Sequence, residues 1–136
     1  MMKQKFEGWD SVANDLRKHA NAQQVIVEEN GESVARLNAG QRASLQAIAN
    51  RIGQNGLVIA DEVGMGKTRI AVDVANCVAK SGGRVAILVP PGLGYQWQAE
   101  LQDGGLNDVP PILRSLHGYL NAWTEGREPW VREPIV

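Results

Sequence analysis

Residues 57–68 read Leu57-Val58-Ile59-Ala60-Asp61-Glu62-Val63-Gly64-Met65-Gly66-Lys67-Thr68. Four apolar residues make a short strand of the fully buried kind. A loop with two glycines follows, and Gly66-Lys67-Thr68 opens a helix. Ile70, Val74, Cys77 and Val78 stripe that helix, which is expected to stop near Ser81-Gly82-Gly83. Val85-Ala86-Ile87-Leu88-Val89 is a second apolar strand, ended by Pro90-Pro91. Two apolar strands joined by one helix form a βαβ unit, which pairs them in parallel through a right-handed crossover. The expected fold class is α/β, with a parallel sheet flanked by helices.

Working outward, Leu45, Ile48, Ala49 and Ile52 fall on one helix face, and Gly53 and Gly56 punctuate its end. Asn38 stands three residues before Gln41, the spacing of a capping box. Trp9, Val12, Ala13, Leu16 and Ala20 predict an amphipathic helix over 9–20. Val25-Ile26-Val27 with Asn30-Gly31 suggests a hairpin near 24–36, or else a helical lead-in. A third helix is expected near 94–102. All six prolines stand at or after position 90, so the last third reads as loops and short pieces.

Composition narrows the function. The chain has 136 residues, 43% apolar and 21% charged, as in a soluble globular domain. Aromatics are only 5%, so Val, Leu, Ile and Ala must build the core. One cysteine excludes an internal disulfide, and two distant histidines with it make no metal cluster. No apolar run approaches the ~20 residues that span a membrane. No signal peptide is visible at Met1 to Phe6, so a cytoplasmic location is expected. A net charge of −1 gives no general attraction to nucleic acid, so any such contact must be local.

The loop before the second helix carries the chemistry. Backbone N–H groups of a glycine-rich turn converge on phosphate oxygens, and the helix N-terminus adds positive potential. Gly64 and Gly66 let the backbone approach the anion, with Met65 between them. Lys67 would place a charge at the β/γ-phosphates, and Thr68 would offer a hydroxyl to Mg²⁺. The common pattern has glycine five residues before the second one. Here Asp61 stands there.

Ala60-Asp61-Glu62-Val63-Gly64-Met65-Gly66-Lys67-Thr68 resembles the first motif of Swi/Snf-type helicase-like ATPases, within superfamily 2 of helicases and translocases. That motif reads Ala-Asp-Glu-Met-Gly-Leu-Gly-Lys-Thr. The differences are Val63 and Met65, each apolar for apolar. Leu37-Asn38-Ala39-Gly40-Gln41 resembles the family's Leu-x-x-x-Gln element, whose glutamine reads the adenine edge. Val85 to Pro90 followed by Tyr95-Gln96-Trp97-Gln98-Ala99-Glu100 resembles the next motif, whose strand exit touches the DNA backbone. The resemblance covers residues 37–101 and implies an ATP-dependent hydrolase with ATP and Mg²⁺ as cofactors. It implies, over 37–136, an incomplete first RecA-like lobe; residues 1–36, read as a lead-in of a helix and a possible hairpin, match no motif of the family, nor do residues 102–136. The intact motor would act on duplex DNA together with a second lobe, by translocation or remodelling.

Competing readings stand beside these. Gln41 either faces adenine or simply completes the capping box with Asn38. Trp97 serves core packing in preference to base stacking. Gly92 and Gly94 either admit a DNA phosphate or shape a loop. Cys77 reads as a buried small hydrophobe, Arg42 and Arg51 as solvated helix-face charges, and His19 and His117 have no partner suggested by spacing.

Hydrolysis also needs a carboxylate on a second strand and a group that orients water. In the family both come from an Asp-Glu pair downstream. Here Asp-Glu occurs once, at Asp61-Glu62 inside the motif itself, and Glu28-Glu29 lies upstream in the wrong order. The expectation is a chain cut inside the first lobe and inactive alone. The alternative is a stand-alone nucleotide-binding module that does not hydrolyse ATP. A small phosphate-loop kinase is a weaker third option.

Overall fold

A computed structural model describes residues 5–22, 26–29, 31–60, 66–109, 111–124 and 135. Its elements are helix α1 (Trp9–Asn21), strands β1 (Ile26–Glu29) and β2 (Glu32–Ala35), then helices α2 (Ala39–Ala49), α3 (Lys67–Lys80), α4 (Gly94–Asp103) and α5 (Leu116–Thr124). β1 and β2 pair antiparallel, from Ile26 opposite Ala35 to Glu29 opposite Glu32, around Gly31 at φ 81°.

The expected parallel sheet is absent among the described residues. Neither 57–60 nor 85–89 carries a strand ladder, and the one sheet is the β1–β2 hairpin. A single parallel bridge joins Val85 to Ile135. The α/β, RecA-like reading is therefore corrected to a helical assembly with one short hairpin. The physical reason is visible in the burial. Ile59, Val85 and Ile87 pack against helices, whereas Val58 is 89% and Leu88 91% exposed. Apolar, β-branched sequence reports a fit to a half-buried surface. A ladder needs a neighbouring strand as well, and helices cover one side only.

Helix α3 is the centre of the packing. Ile70, Cys77 and Val78 join Val12, Ala13, Leu16 and Ala20 of α1 and Leu45, Ile48 and Ala49 of α2 in one core cluster. Val72 and Ala75, on another face of α3, join Leu101 of α4 and Ile135 in a second cluster. A helix apolar on two faces must be covered on both. Leu16, Leu45 and Ile70 are among the fully buried side chains, each worth about 1.5–3 kcal/mol of burial.

The helix ends follow from local chemistry. Asn38 accepts from the Gln41 amide at 2.9 Å, and the Gln41 side-chain oxygen accepts from the Asn38 amide at 2.8 Å, which is the expected capping box. Arg42, expected to be solvated, instead donates from Nε to the Ala20 carbonyl at 2.5 Å and so caps the end of α1. Arg51 is exposed, as is His117. Trp97 is half-buried against the second cluster. At the end of α3, Gly82 N–H donates to Ala79 and Gly83 N–H to Val78. That pattern needs the left-handed residue supplied by Gly82, at φ 78°. α4 stops in the same way, with Gly105 N–H on Gln102 and Leu106 N–H on Leu101.

Cys77 is 1% exposed, with its sulfur 4.0 Å from Nδ1 of His19. Burial, and then the charges of Asp15 and Asp73, push its thiol from 9.0 up to about 12, against a smaller opposing effect of Lys80. It is a neutral core thiol at ordinary pH, in line with its place on the apolar stripe.

Candidate functional site

Of the motif, Ala60 and the last three residues lie in the described structure. Asp61 to Met65 lie outside the described residues, so the expected phosphate contacts of Gly64 and Met65 do too. Gly66 is the N-cap of α3 at φ 75° and ψ 30°, in the left-handed region, and it brings no side-chain acceptor to the helix start. Lys67 and Thr68 are the first two residues of α3, and both are half-buried. No acidic residue occupies the first turn. The electrostatic character of this end is therefore that of the helix dipole with two cationic residues on the first turn, Lys67 and Arg69, which favours an anion.

Gln41 meets this end from α2. It is 6% exposed, and its Nε2 donates to the Gly66 carbonyl at 3.3 Å. Its side-chain oxygen is the acceptor of the capping box described above. The glutamine thus ties the start of α2 to the start of α3, and each amide atom already has one protein partner. Among the described residues, one further N–H and one lone pair of this amide have no partner. Glycine is favoured at position 66 by its positive φ, and a Cβ added there would push the Gln41 amide aside.

Two ion pairs lie on the same side of α3. Arg36, in the connector between β2 and α2, donates from Nη1 to Asp73 Oδ1 at 2.6 Å, with side chains 11% and 4% exposed. Arg69 donates from Nη1 to the Arg36 carbonyl at 3.1 Å and lies 3.6 Å from Glu100 of α4. Sequence reasoning named Glu100 within the downstream motif, but none of Arg36, Arg69 and Asp73. Asp73, alone between Val72 and Val74, was the available signal: a carboxylate inside an apolar run asks for a buried partner.

The downstream motif falls on a different surface. Residues 86–92, α4 and residues 111–114 enclose an apolar groove of about 680 Å³, with Leu88, Pro90, Tyr95, Trp97 and Ile112 among its walls. Arg114 stands over the Tyr95 ring at 5.5 Å. Among the described residues no group of three or more His, Cys, Asp or Glu could hold a metal, and no helix is long and apolar enough to cross a membrane. Comparison with family models, with curated proteins and with solved structures gives no match to this chain.

Proposed function

We propose that this chain grips the phosphates of ATP, as the nucleotide-binding part of a DNA-dependent ATPase of the Swi/Snf helicase type. One observation carries the reading. The sequence Asp61 to Thr68 brings a left-handed Gly66 to the N-cap of the central helix, and Lys67 and Thr68 are that helix's first residues. The proposal rests on this motif and helix start.

The roles follow from the chemistry. The amides of Gly64, Met65, Gly66 and Lys67 would cradle the phosphates, and the Lys67 ammonium would sit at the β/γ oxygens. Thr68 fits as a protein ligand of Mg²⁺. It is the second residue of α3 and would offer its hydroxyl to an ion that arrives with the nucleotide, held chiefly by phosphate oxygens. Gln41 would hold the helix start and offer its remaining amide hydrogen and lone pair to adenine. The loop after Val89, at the mouth of the groove, would be the place of duplex DNA contact in an intact motor.

A second reading is favoured by one sequence fact. The Asp-Glu pair needed for hydrolysis occurs only within the motif itself. For these residues that favours nucleotide binding without turnover.

The test is a calorimetric titration of the chain with ATP and Mg²⁺. Saturable binding is expected, and Lys67→Ala should weaken it roughly 10- to 100-fold, the loss expected for a charge-assisted phosphate contact. Equal affinity in the variant would remove Lys67 from the site.

A further inference from the structure

We propose that the buried pair Arg36–Asp73 is the positioning element of the nucleotide site, setting the rotation and axial placement of α3 on which Lys67 and Thr68 ride. The inference rests on the nucleotide reading above and names residues that no sequence motif marks.

The segment 36–41 touches α3 at three points. Gln41 Nε2 donates to the Gly66 carbonyl, the Arg36 carbonyl accepts from Arg69, and the Arg36 guanidinium holds Asp73. Positions 66, 69 and 73 are spaced by three and four residues, so they lie on one face of the helix. A single six-residue stretch therefore grips that face over two turns, starting at the phosphate end. Apolar contacts on the other faces of α3, through Ile70 and Cys77 on one side and Val72 and Ala75 on the other, resist separation but do little to fix register. A slip of one turn would keep much apolar burial, yet would carry Lys67 about 5.4 Å along the axis. It would also leave two buried charges unpaired, which is strongly unfavourable.

The pair is poorly explained as a source of stability. It is monodentate, with Arg36 Nη2 and Asp73 Oδ2 buried and without a hydrogen-bond partner among the described residues. Replacing a buried ion pair by apolar side chains of similar size is commonly neutral or stabilising. What apolar side chains lose is direction. Close packing nearby tightens the requirement: a Cβ on Gly104 would lie 2.5 Å from Val72 and 3.1 Å from Arg36 Nη2.

The experiment compares the wild-type chain with R36M/D73L, which removes both charges together and leaves no orphan. Single variants are avoided because each strands a buried charge. Thermal melting checks folding, titration with ATP and Mg²⁺ gives affinity, and hydrogen exchange reads the amides of residues 70–74, the first intrahelical donors of α3, against those of α1. The expected result is an unchanged melting temperature, an affinity lowered roughly tenfold, and faster exchange confined to 70–74. Unchanged affinity in R36M/D73L overturns the proposal, and so does exchange that accelerates throughout the chain. If the folded wild type binds no nucleotide, the phosphate-grip reading fails by itself. Exchange then decides the positioning role: acceleration confined to 70–74 keeps it, and no acceleration there removes it.

Discussion

Helix α3 has a left-handed glycine at each end, Gly66 at φ 75° before its first residue and Gly82 at φ 78° two residues past its last. At the C-terminal end the glycine closes the helix. Gly82 and Gly83 N–H groups take the carbonyls of Ala79 and Val78, Ser81 is buried, and the Glu7 amide donates to the Ser81 carbonyl at 2.9 Å. At the N-terminal end the glycine brings no side-chain cap, and its carbonyl is held by Gln41 from a neighbouring helix. α2 shows the contrast in one molecule, because Asn38 caps it with its own side chain. The same conformational freedom serves a self-closed end in one place and an end held by a neighbouring helix in the other.

Substitutions can break this contrast. The largest effect is expected for Lys67→Ala, with nucleotide affinity down roughly 10- to 100-fold and the melting curve near wild type. A variant that melts early instead would make Lys67 a structural residue.

Gly83→Ala acts at the closed end. Its Cβ would lie 2.6 Å from Val78 Cγ1 and 2.9 Å from the Val78 carbonyl. Overpacking of this kind costs about 1–3 kcal/mol. Denaturant unfolding should show it, while nucleotide affinity at temperatures where the variant is folded stays at the wild-type value. A parallel loss of affinity would mean that the two ends are not independent.

Gly66→Ala is expected to cost about 1–2 kcal/mol for the left-handed conformation. Its Cβ also displaces the Gln41 amide, so here affinity should fall together with stability. Retained affinity would show that the Gln41–Gly66 tie is irrelevant to binding.

Much of the helical framework was legible in the sequence, because spacing alone places α1 through Val12 and Leu16, α2 through Leu45 and Ile48, and α3 through Ile70 and Cys77. α5 was missed. Leu116, Tyr119, Leu120 and Trp123 do stand at helical spacing, but the prolines and glycines around them drew the reading toward loops. The sheet was misread for a deeper reason. Val85 to Val89 has strand composition, and composition says nothing of a partner strand. In the site, the capping box was readable because Asn38 and Gln41 are local. The approach of Gln41 to Gly66, 25 residues apart, depends on how α2 packs on α3. The same holds for Arg36 and Asp73, separated by 37 residues, where no spacing rule selects the partner.

The most direct test of the central claim is a comparison of ATP with AMP, each titrated into the folded wild-type chain in the presence of Mg²⁺. A grip on the β/γ-phosphates by Lys67 and the start of α3 predicts saturable binding of ATP and much weaker binding of AMP. A folded chain that binds neither, or that binds both equally, would contradict it.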